Sequence, residues 1–192
     1  MTAVYTDKEF TKADFEKAPL ETGEYENCTF TQCDFANADF SNSMFIECVF
    51  TGCNISMVKL QKTTLNGIQF KDCKMLGLNF EDCSKFGLAF NFDSCTINHS
   101  SFYQMQLKKT VFKNCQLHET DFTECNLTGA IFTNCDFYRA KFDRTILEKA
   151  DLRTSYNYSI NPEINKIKKA KFSLSAITGL LDKYDIDIDT KS

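Results

Sequence analysis

The sequence has no tryptophan and few of the residues that interrupt regular structure. Its 192 residues include only 7 Gly, 2 Pro and 2 His. The prolines, Pro19 and Pro162, stand near the two ends, so nothing between them divides the chain into separate domains. A chain of this length can bury a sizeable core. We therefore expect one continuous structure rather than a string of modules.

Long apolar runs are also missing. No segment approaches the roughly 18 consecutive apolar residues that a membrane-spanning helix requires. The segment Met1 to Phe10 is polar and lacks the apolar stretch of a secretory signal. The net charge of −4 is modest. These features predict a soluble, cytoplasmic protein with no membrane partner.

What the sequence has in abundance is phenylalanine, with 19 residues, and a repeat with a period of five. A large apolar residue, which we call the centre residue, recurs at every fifth position from Phe10 to Phe80. After a disturbance the series resumes two residues out of phase and continues from Ile97 to Leu152. This period matches neither a helix, at about 3.6 residues, nor a strand, at about 2.

A second column lies two residues before each centre residue and prefers small side chains. All ten cysteines fall in this column, and they are Cys28, Cys33, Cys48, Cys53, Cys73, Cys83, Cys95, Cys115, Cys125 and Cys135. Elsewhere the same column holds Ala, Ser, Thr and Gly. Metal sites need closely spaced pairs of ligands, which this spacing does not provide. We therefore interpret the cysteines as small buried side chains in a reducing compartment, and we expect no metal or other cofactor.

A period of five persists only if each repeat forms one short side of a coil that turns a corner and stacks on the next coil. Stacked coils pair their backbones about 4.8 Å apart. Centre residues and small residues then fill the interior as ladders, while the other three positions face water. The predicted fold is an all-β solenoid over residues 1–157. Residues 158–192 are expected to hold a final repeat, a short C-terminal α-helix and a short strand.

Two segments carry a family resemblance, CTFTQCDFANADF from Cys28 to Phe40 and CNLTGAIFTNCDFYRAKF from Cys125 to Phe142. Both match the A(D/N)Lxx pattern and resemble the pentapeptide-repeat family over roughly residues 8–156. The resemblance implies a right-handed quadrilateral β-helix with four repeats per coil and about seven coils. It also implies that the centre residues and the small residues before them point inward.

The C-terminal tail resembles a particular group within the pentapeptide-repeat family. After the repeat register resumes at Phe172, five apolar residues follow at helical spacing, namely Leu174, Ile177, Leu180, Leu181 and Tyr184. Ile186 and Ile188 then alternate with aspartates, as in a short strand. This arrangement resembles the dimerisation module of the quinolone-resistance (Qnr) and MfpA group, cytoplasmic dimers that mimic duplex DNA and bind DNA gyrase. The resemblance implies that the five residues form a homodimer interface. The open alternative is that they cap the exposed core of the last coil.

The resemblance to Qnr proteins has two departures. Qnr proteins carry two inserted loops, but only Thr51 and Gly52 separate Phe50 from Cys53 here. In the irregular segment 81–95 the chain gains just two residues, and Lys85 stands where a centre residue belongs. We expect Phe86 and Phe92 to replace it as centre residues, each on a six-residue side. The segment is then either a small bulge or a recognition loop, and the chain is similar to the loopless MfpA type.

The charge is distributed unevenly along the chain. Residues 1–50 carry ten acidic and three basic residues, while 51–80 carry one and four. The acidic end has a charge density near that of duplex DNA, which is one charge per about 1.7 Å. However, the acidic residues fall on all four sides and the segment 51–80 is basic. An ordinary solvated surface therefore explains these charges as well as DNA mimicry does. The candidate acidic partner-binding surface comprises Asp14, Glu16, Glu24, Glu26, Asp34 and Asp39.

No nucleophile and base pair or phosphate-binding loop is apparent, so the sequence predicts a non-enzymatic protein. The lysines of the tail, Lys166, Lys168, Lys169 and Lys171, lack interleaved aromatic residues, and we expect no direct binding of nucleic acid. The preferred function is a protein-interaction scaffold. The alternative is a DNA mimic that binds gyrase or topoisomerase IV.

Overall fold

The computed structural model describes residues 3–13, 15 and 19–189. It contains eleven short strands, all in parallel pairs. These are β1 (Ala3–Thr6), β2 (Glu9–Thr11), β3 (Gly23–Glu26), β4 (Thr29–Thr31), β5 (Met44–Ile46), β6 (Val49–Thr51), β7 (Thr64–Asn66), β8 (Ile68–Lys71), β9 (Phe90–Asp93), β10 (Val111–Lys113) and β11 (Ile131–Thr133).

The strands define the first two sides of a four-sided solenoid. Side one holds β1, β3, β5 and β7, and side two holds the seven strands β2, β4, β6, β8, β9, β10 and β11. Partners in the first coils are twenty residues apart, as in the pair Phe10 and Phe30. Isolated parallel bridges such as Asp34 to Asn54 and Asp39 to Lys59 form sides three and four. The seven levels of side two span about six turns, which confirms the predicted β-solenoid.

Corners between the sides require a residue in the left-handed backbone region. Two positions after most centre residues the backbone takes a positive φ, for example 52° at Asn27 and 54° at Gln32. The same conformation recurs through the chain, mostly at residues other than glycine. Asparagine tolerates this region better than most side chains do. The chain has too few glycines to place one at every corner. The positive φ at the corners is therefore imposed by the repeat geometry and not by glycine.

The interior consists of the two predicted ladders. On side two the phenylalanine rings stack continuously, with centroids 4.6 Å apart between Phe30 and Phe50 and 4.9 Å apart between Phe112 and Phe132. Rings from adjacent sides meet edge to face, as Phe102 and Phe112 do at 6.0 Å. Such aromatic pairs contribute about 0.5–1.5 kcal/mol beyond the burial of their area. All ten cysteines are free and buried, as predicted.

The small column also has a polar role that the sequence did not indicate. The Thr63 hydroxyl donates a hydrogen bond of 2.8 Å to the carbonyl oxygen of Phe40, in the coil below. The Cys53 thiol makes the equivalent contact with the Phe30 carbonyl at 3.3 Å. Cysteine and threonine are therefore interchangeable in this column, because each is a small side chain that can donate to a buried carbonyl.

In the irregular segment the structure confirms the gain of two residues and corrects one centre residue. The strand partners Phe70 and Phe92 are twenty-two residues apart, and Phe92 is buried. Phe86, however, is 87% exposed. Phe90 is buried instead, in the small column beside Ile68, with its ring 5.5 Å from that of Phe80. The large ring of Phe90 enters the core from side two, so Phe86 stays outside.

The C-terminal segment differs from the prediction in two respects. Leu174–Leu180 and Asp182–Tyr184 are 3-10 helices, not one α-helix. Their hydrogen bonds close over three residues, as from the Leu181 N–H to the Thr178 carbonyl at 2.7 Å. The expected strand at Ile186 and Ile188 is absent, since 185–189 has no regular secondary structure. An isolated short strand has no partner with which to pair.

Candidate interaction surfaces

The structure places the described acidic residues on three different sides of the solenoid. Glu24 and Glu26 lie on side one, Asp34 on side three and Asp39 on side four. Asp14 and Glu16, the other two members of the predicted acidic surface, lie outside the described residues.

None of these four acids stacks on another acid in the next coil. Glu24 and Glu26 pair with Met44 and Ile46. Asp34 pairs with Asn54, and Asp39 pairs with Lys59. A duplex carries regularly spaced phosphates along two strands. The described acids form no such rows.

Asp34 and Asp39 instead stabilise corners. The Asp34 carboxylate accepts a hydrogen bond of 3.0 Å from the Ala36 N–H, and Asp39 accepts one of 2.9 Å from the Ser41 N–H. Hydrogen bonds from Ser41 hold the pKa of Asp39 below its usual value. These are Asx turns, in which the side chain pairs with the backbone two residues later. The Asp or Asn of the repeat pattern thus has a structural function.

A polar cluster on side three was not predicted from the sequence. His118 Nε2 lies 2.9 Å from an Asp136 carboxylate oxygen, and the Asn157 amide donates to the same carboxylate at 2.8 Å. Burial raises the pKa of Asp136, but the hydrogen bonds from His118 and Asn157 outweigh it and leave the pKa below its usual value. The ring of Tyr138 packs edge to face on His118 at 5.7 Å. The cluster joins neighbouring coils. His118 and Asn157 lie 18 and 21 positions from Asp136 in the sequence, so no local pattern predicts that they meet.

The described part of the chain shows no arrangement of side chains typical of a metal site. No group of three or more His, Cys, Asp or Glu residues there could hold a metal ion. In the same residues, no helix is long and apolar enough to span a bilayer.

The five residues of the predicted dimer interface do not share one face. Leu174 is 90% exposed and Tyr184 is 47% exposed. Ile177 and Leu181 are half-buried, and Leu180 packs against the hydrophobic core. In a 3-10 helix, residues three apart align, so Leu174, Ile177 and Leu180 lie along one edge while Leu181 is displaced from it.

The core-facing part of this segment is held by a close backbone contact. The Ile160 N–H donates to the Gly179 carbonyl at 2.8 Å. A Cβ atom at Gly179 would lie 2.0 Å from the carbonyl oxygen of Tyr158, so only glycine fits there without a shift. Ala176 and Leu180 pack on the core beside this contact. The segment therefore caps the last coil, which was one of the two alternatives that the sequence left open.

Beyond the cap, four apolar side chains of the C-terminal segment remain exposed. We define the terminal patch as Leu174, Tyr184, Ile186 and Ile188, all of which are exposed. A shallow cavity of about 370 Å³ next to it is lined by Thr178, Leu181, Asp182, Asp185, Ile186 and Ile188. The Tyr184 hydroxyl donates to the Glu163 carboxylate at 2.9 Å, which anchors the patch to the solenoid.

Comparisons with known proteins agree with this architecture. The family described as pentapeptide repeat region matches residues 23–91 and 85–152. A search of curated proteins found no match. Among solved structures, a trypsin-treated form of QnrB1, a plasmid-mediated fluoroquinolone resistance protein, aligns with a TM-score of 0.62 and 17% identity, covering 98% of this chain and all of that one. HetL, a pentapeptide repeat protein involved in heterocyst differentiation regulation from Nostoc sp., aligns over 88% of this chain and 84% of its own length, with 16% identity and a TM-score of 0.42.

At 17% identity the likeness to QnrB1 concerns the fold alone. The family match, by contrast, extends over more than half of the sequence and covers the coils from β3 to beyond β11. The register, the inward ladders and the family match all agree. The chain therefore belongs to the pentapeptide-repeat family.

Proposed function

We propose that this protein is a non-enzymatic interaction scaffold of the cytoplasm that forms a homodimer through its terminal patch. The observation that carries the proposal is the exposure of Leu174, Tyr184, Ile186 and Ile188 on a segment that is itself docked on the core through Ala176 and Leu180. Clusters of exposed apolar residues commonly mark interaction sites.

The rest of the described surface supports a scaffold over a DNA mimic. The four described acids of the candidate surface do not stack in rows, and two of them serve Asx turns. The gyrase or topoisomerase alternative is therefore not favoured. The free, buried cysteines are consistent with a reducing compartment such as the cytoplasm.

Two of the five residues predicted for the dimer interface, Leu174 and Tyr184, stay in the proposed interface. Leu180 is assigned to the cap because it packs on the core, while Ile186 and Ile188 extend the patch. A two-fold dimer would place the same patch of both copies in contact, which suits a surface that is apolar and lies at one end of a rod.

Light scattering coupled to gel filtration tests the proposal. The wild-type chain should have the mass of a dimer, and the double variant Leu174→Asp with Ile186→Asp should have the mass of a monomer. Val4→Asp is the matched control, because Val4 is 65% exposed and lies in β1, on the first coil. It should remain a dimer. A monomeric wild-type protein, or a double variant that stays dimeric, would refute the interface.

A further inference from the structure

The irregular segment leaves a gap in the wall of side one. On this side β7 is the last strand of its sheet, and the next regular pairing is the bridge between Gln106 and Asn126. Between them, a short loop of residues 84–89 is hydrogen-bonded to β7 and the residue before it at its two ends only. The Ser84 N–H donates to the Thr63 carbonyl at 2.8 Å, and the Ala89 N–H donates to the Leu65 carbonyl at 2.9 Å.

In the regular coils, backbone groups that face a neighbouring coil pair with it across the interface. The Glu47 N–H donates to the Asn66 carbonyl at 2.8 Å, and the Asn126 N–H donates to the Met105 carbonyl at 2.8 Å. The equivalent groups at the gap differ. Within the described residues, neither the N–H groups of Gly67 and Gln106 nor the carbonyls of Gln106 and Lys108 have a hydrogen-bond partner. The Gly67 N–H therefore faces the gap from the β7 side, and one N–H and two carbonyls face it from the rung at Gln106, as at the edge of a sheet.

A cavity lies behind the loop at the same position. Its volume is about 460 Å³, and its lining includes Phe80, Cys83, Leu88 and Met105. Its lining also includes Asn66 of β7 and Gln106 of the next side-one rung, which stand on the two sides of the gap. A regular coil would place a large apolar side chain here, but Lys85 is exposed and Phe86 is outside the core. Leu88 packs partly against the core and lines the cavity without filling it.

The cavity also carries a buried carboxylate oxygen that has no donor among the described residues. Glu81 lines it, and the Oε2 atom of Glu81 is buried with no hydrogen-bond partner in the described part of the chain. A buried carboxylate oxygen without a donor is costly. An occupant with a positively charged or N–H donor group would satisfy it.

We propose that this gap binds an extended peptide that supplies the missing rung of side one. The peptide would lie as a parallel strand along the rung at Gln106, with the Gly67 N–H as its donor on the β7 side. It would place one large aliphatic side chain in the cavity and carry a basic residue beside it. This mode is β-strand addition, in which the main chain gives affinity and the side-chain pocket gives specificity. The inference rests on the proposed scaffold function and names its partner chemistry.

The chain itself provides a probe. Residues 105–110, Met-Gln-Leu-Lys-Lys-Thr, form the side-one rung of the next coil, with an aliphatic residue followed by two lysines. A fluorescent, end-blocked peptide of this sequence should bind the full-length protein saturably in fluorescence anisotropy. The same peptide with aspartate in place of leucine should bind at least about tenfold more weakly, because it cannot fill the apolar cavity.

A peptide methylated on the backbone nitrogen of its leucine keeps every side chain and loses one strand hydrogen bond. It should also bind about fivefold to tenfold more weakly. Glu81→Gln, which keeps the size of the side chain, should weaken binding of the lysine-containing peptide. On the protein, peptide binding should slow hydrogen exchange at the amides of Gly67 and Gln106 selectively.

Three outcomes would overturn the inference. They are no saturable binding up to about 1 mM, equal affinity for the leucine and aspartate peptides, and protection confined to another part of the rod. All three leave the light-scattering assay untouched, so failure of the peptide site is distinguishable from failure of the dimer.

Discussion

The Ile160 backbone donates a hydrogen bond of 2.8 Å to the carbonyl of Gly179, which joins the C-terminal segment to the last coil. The contact needs the close approach of two backbones, since a Cβ atom at Gly179 would lie 2.0 Å from the Tyr158 carbonyl oxygen. A single glycine thus decides whether the open end of the core is covered. The exposed terminal patch is positioned through the same contact.

Gly179→Ala should undock the C-terminal segment while the coils stay folded. The added methyl group cannot be accommodated against Tyr158, and the stability of a local element depends on its own contacts. We expect trypsin to cleave after Lys183 at least about tenfold faster than in the wild type. Ser175→Ala, at an exposed position of the same 3-10 helix, is the control. Unchanged cleavage in Gly179→Ala would contradict the docking role.

Phe112→Ala and Phe86→Ala should differ strongly in their cost to stability. Phe112 is fully buried and its ring stacks at 5.0 Å on that of Phe92, so its loss should cost about 3–5 kcal/mol. Phe86 is 87% exposed, and its replacement should change the free energy of unfolding by no more than about 0.5 kcal/mol. Urea unfolding of both variants measures the contrast. A large cost at Phe86 would mean that it points inward, as the repeat pattern predicted.

Thr145→Val should reveal the donor function of the small column. The Thr145 hydroxyl donates to the Phe122 carbonyl at 2.8 Å, and valine has the same shape but no donor. We expect a loss of about 1 kcal/mol in the free energy of unfolding. Thr145→Cys should lose less, because the Cys135 thiol makes the equivalent contact with the Phe112 carbonyl at 3.4 Å. Equal losses for valine and cysteine would show that size alone governs the column.

Because its cysteine thiols are buried, we expect the free energy of unfolding of the protein to fall at alkaline pH. Burial raises the pKa of the Cys48 thiol to about 11, above the value of about 8.5 for a free thiol. A raised pKa in the folded state means that the stabilisation is complete below about pH 8.5 and is lost as the pH rises toward 11. The urea midpoint should therefore decline over this window.

Cys48→Ala is the control for that experiment, since removing one titrating thiol should reduce the slope. In the folded wild type, a thiol reagent such as Ellman's reagent at pH 8 should react slowly, and in denaturant it should react with all ten cysteines. Reaction of the folded protein within the mixing time would contradict the burial of the thiols.

The sequence by itself determined the repeat architecture. Each group of five residues contributes one large and one small side chain to the interior, so the burial of Phe30, Phe112 or Cys135 follows from its position in the period. Such patterns are readable because each repeat interacts mainly with the coils directly above and below it.

Tertiary structure decided the places where the period fails. At the interruption, both Phe86 and Phe90 could supply a ring, and packing against Phe80 and Phe92 selected Phe90. The C-terminal segment has helical spacing in its sequence, but it folds as 3-10 helix. Its docking on the last coil through Gly179 buries some of its apolar residues in the cap and leaves the others on the surface. The pairing of His118 with Asp136 likewise arises across coils. These outcomes depend on contacts between distant residues, and a local pattern does not encode them.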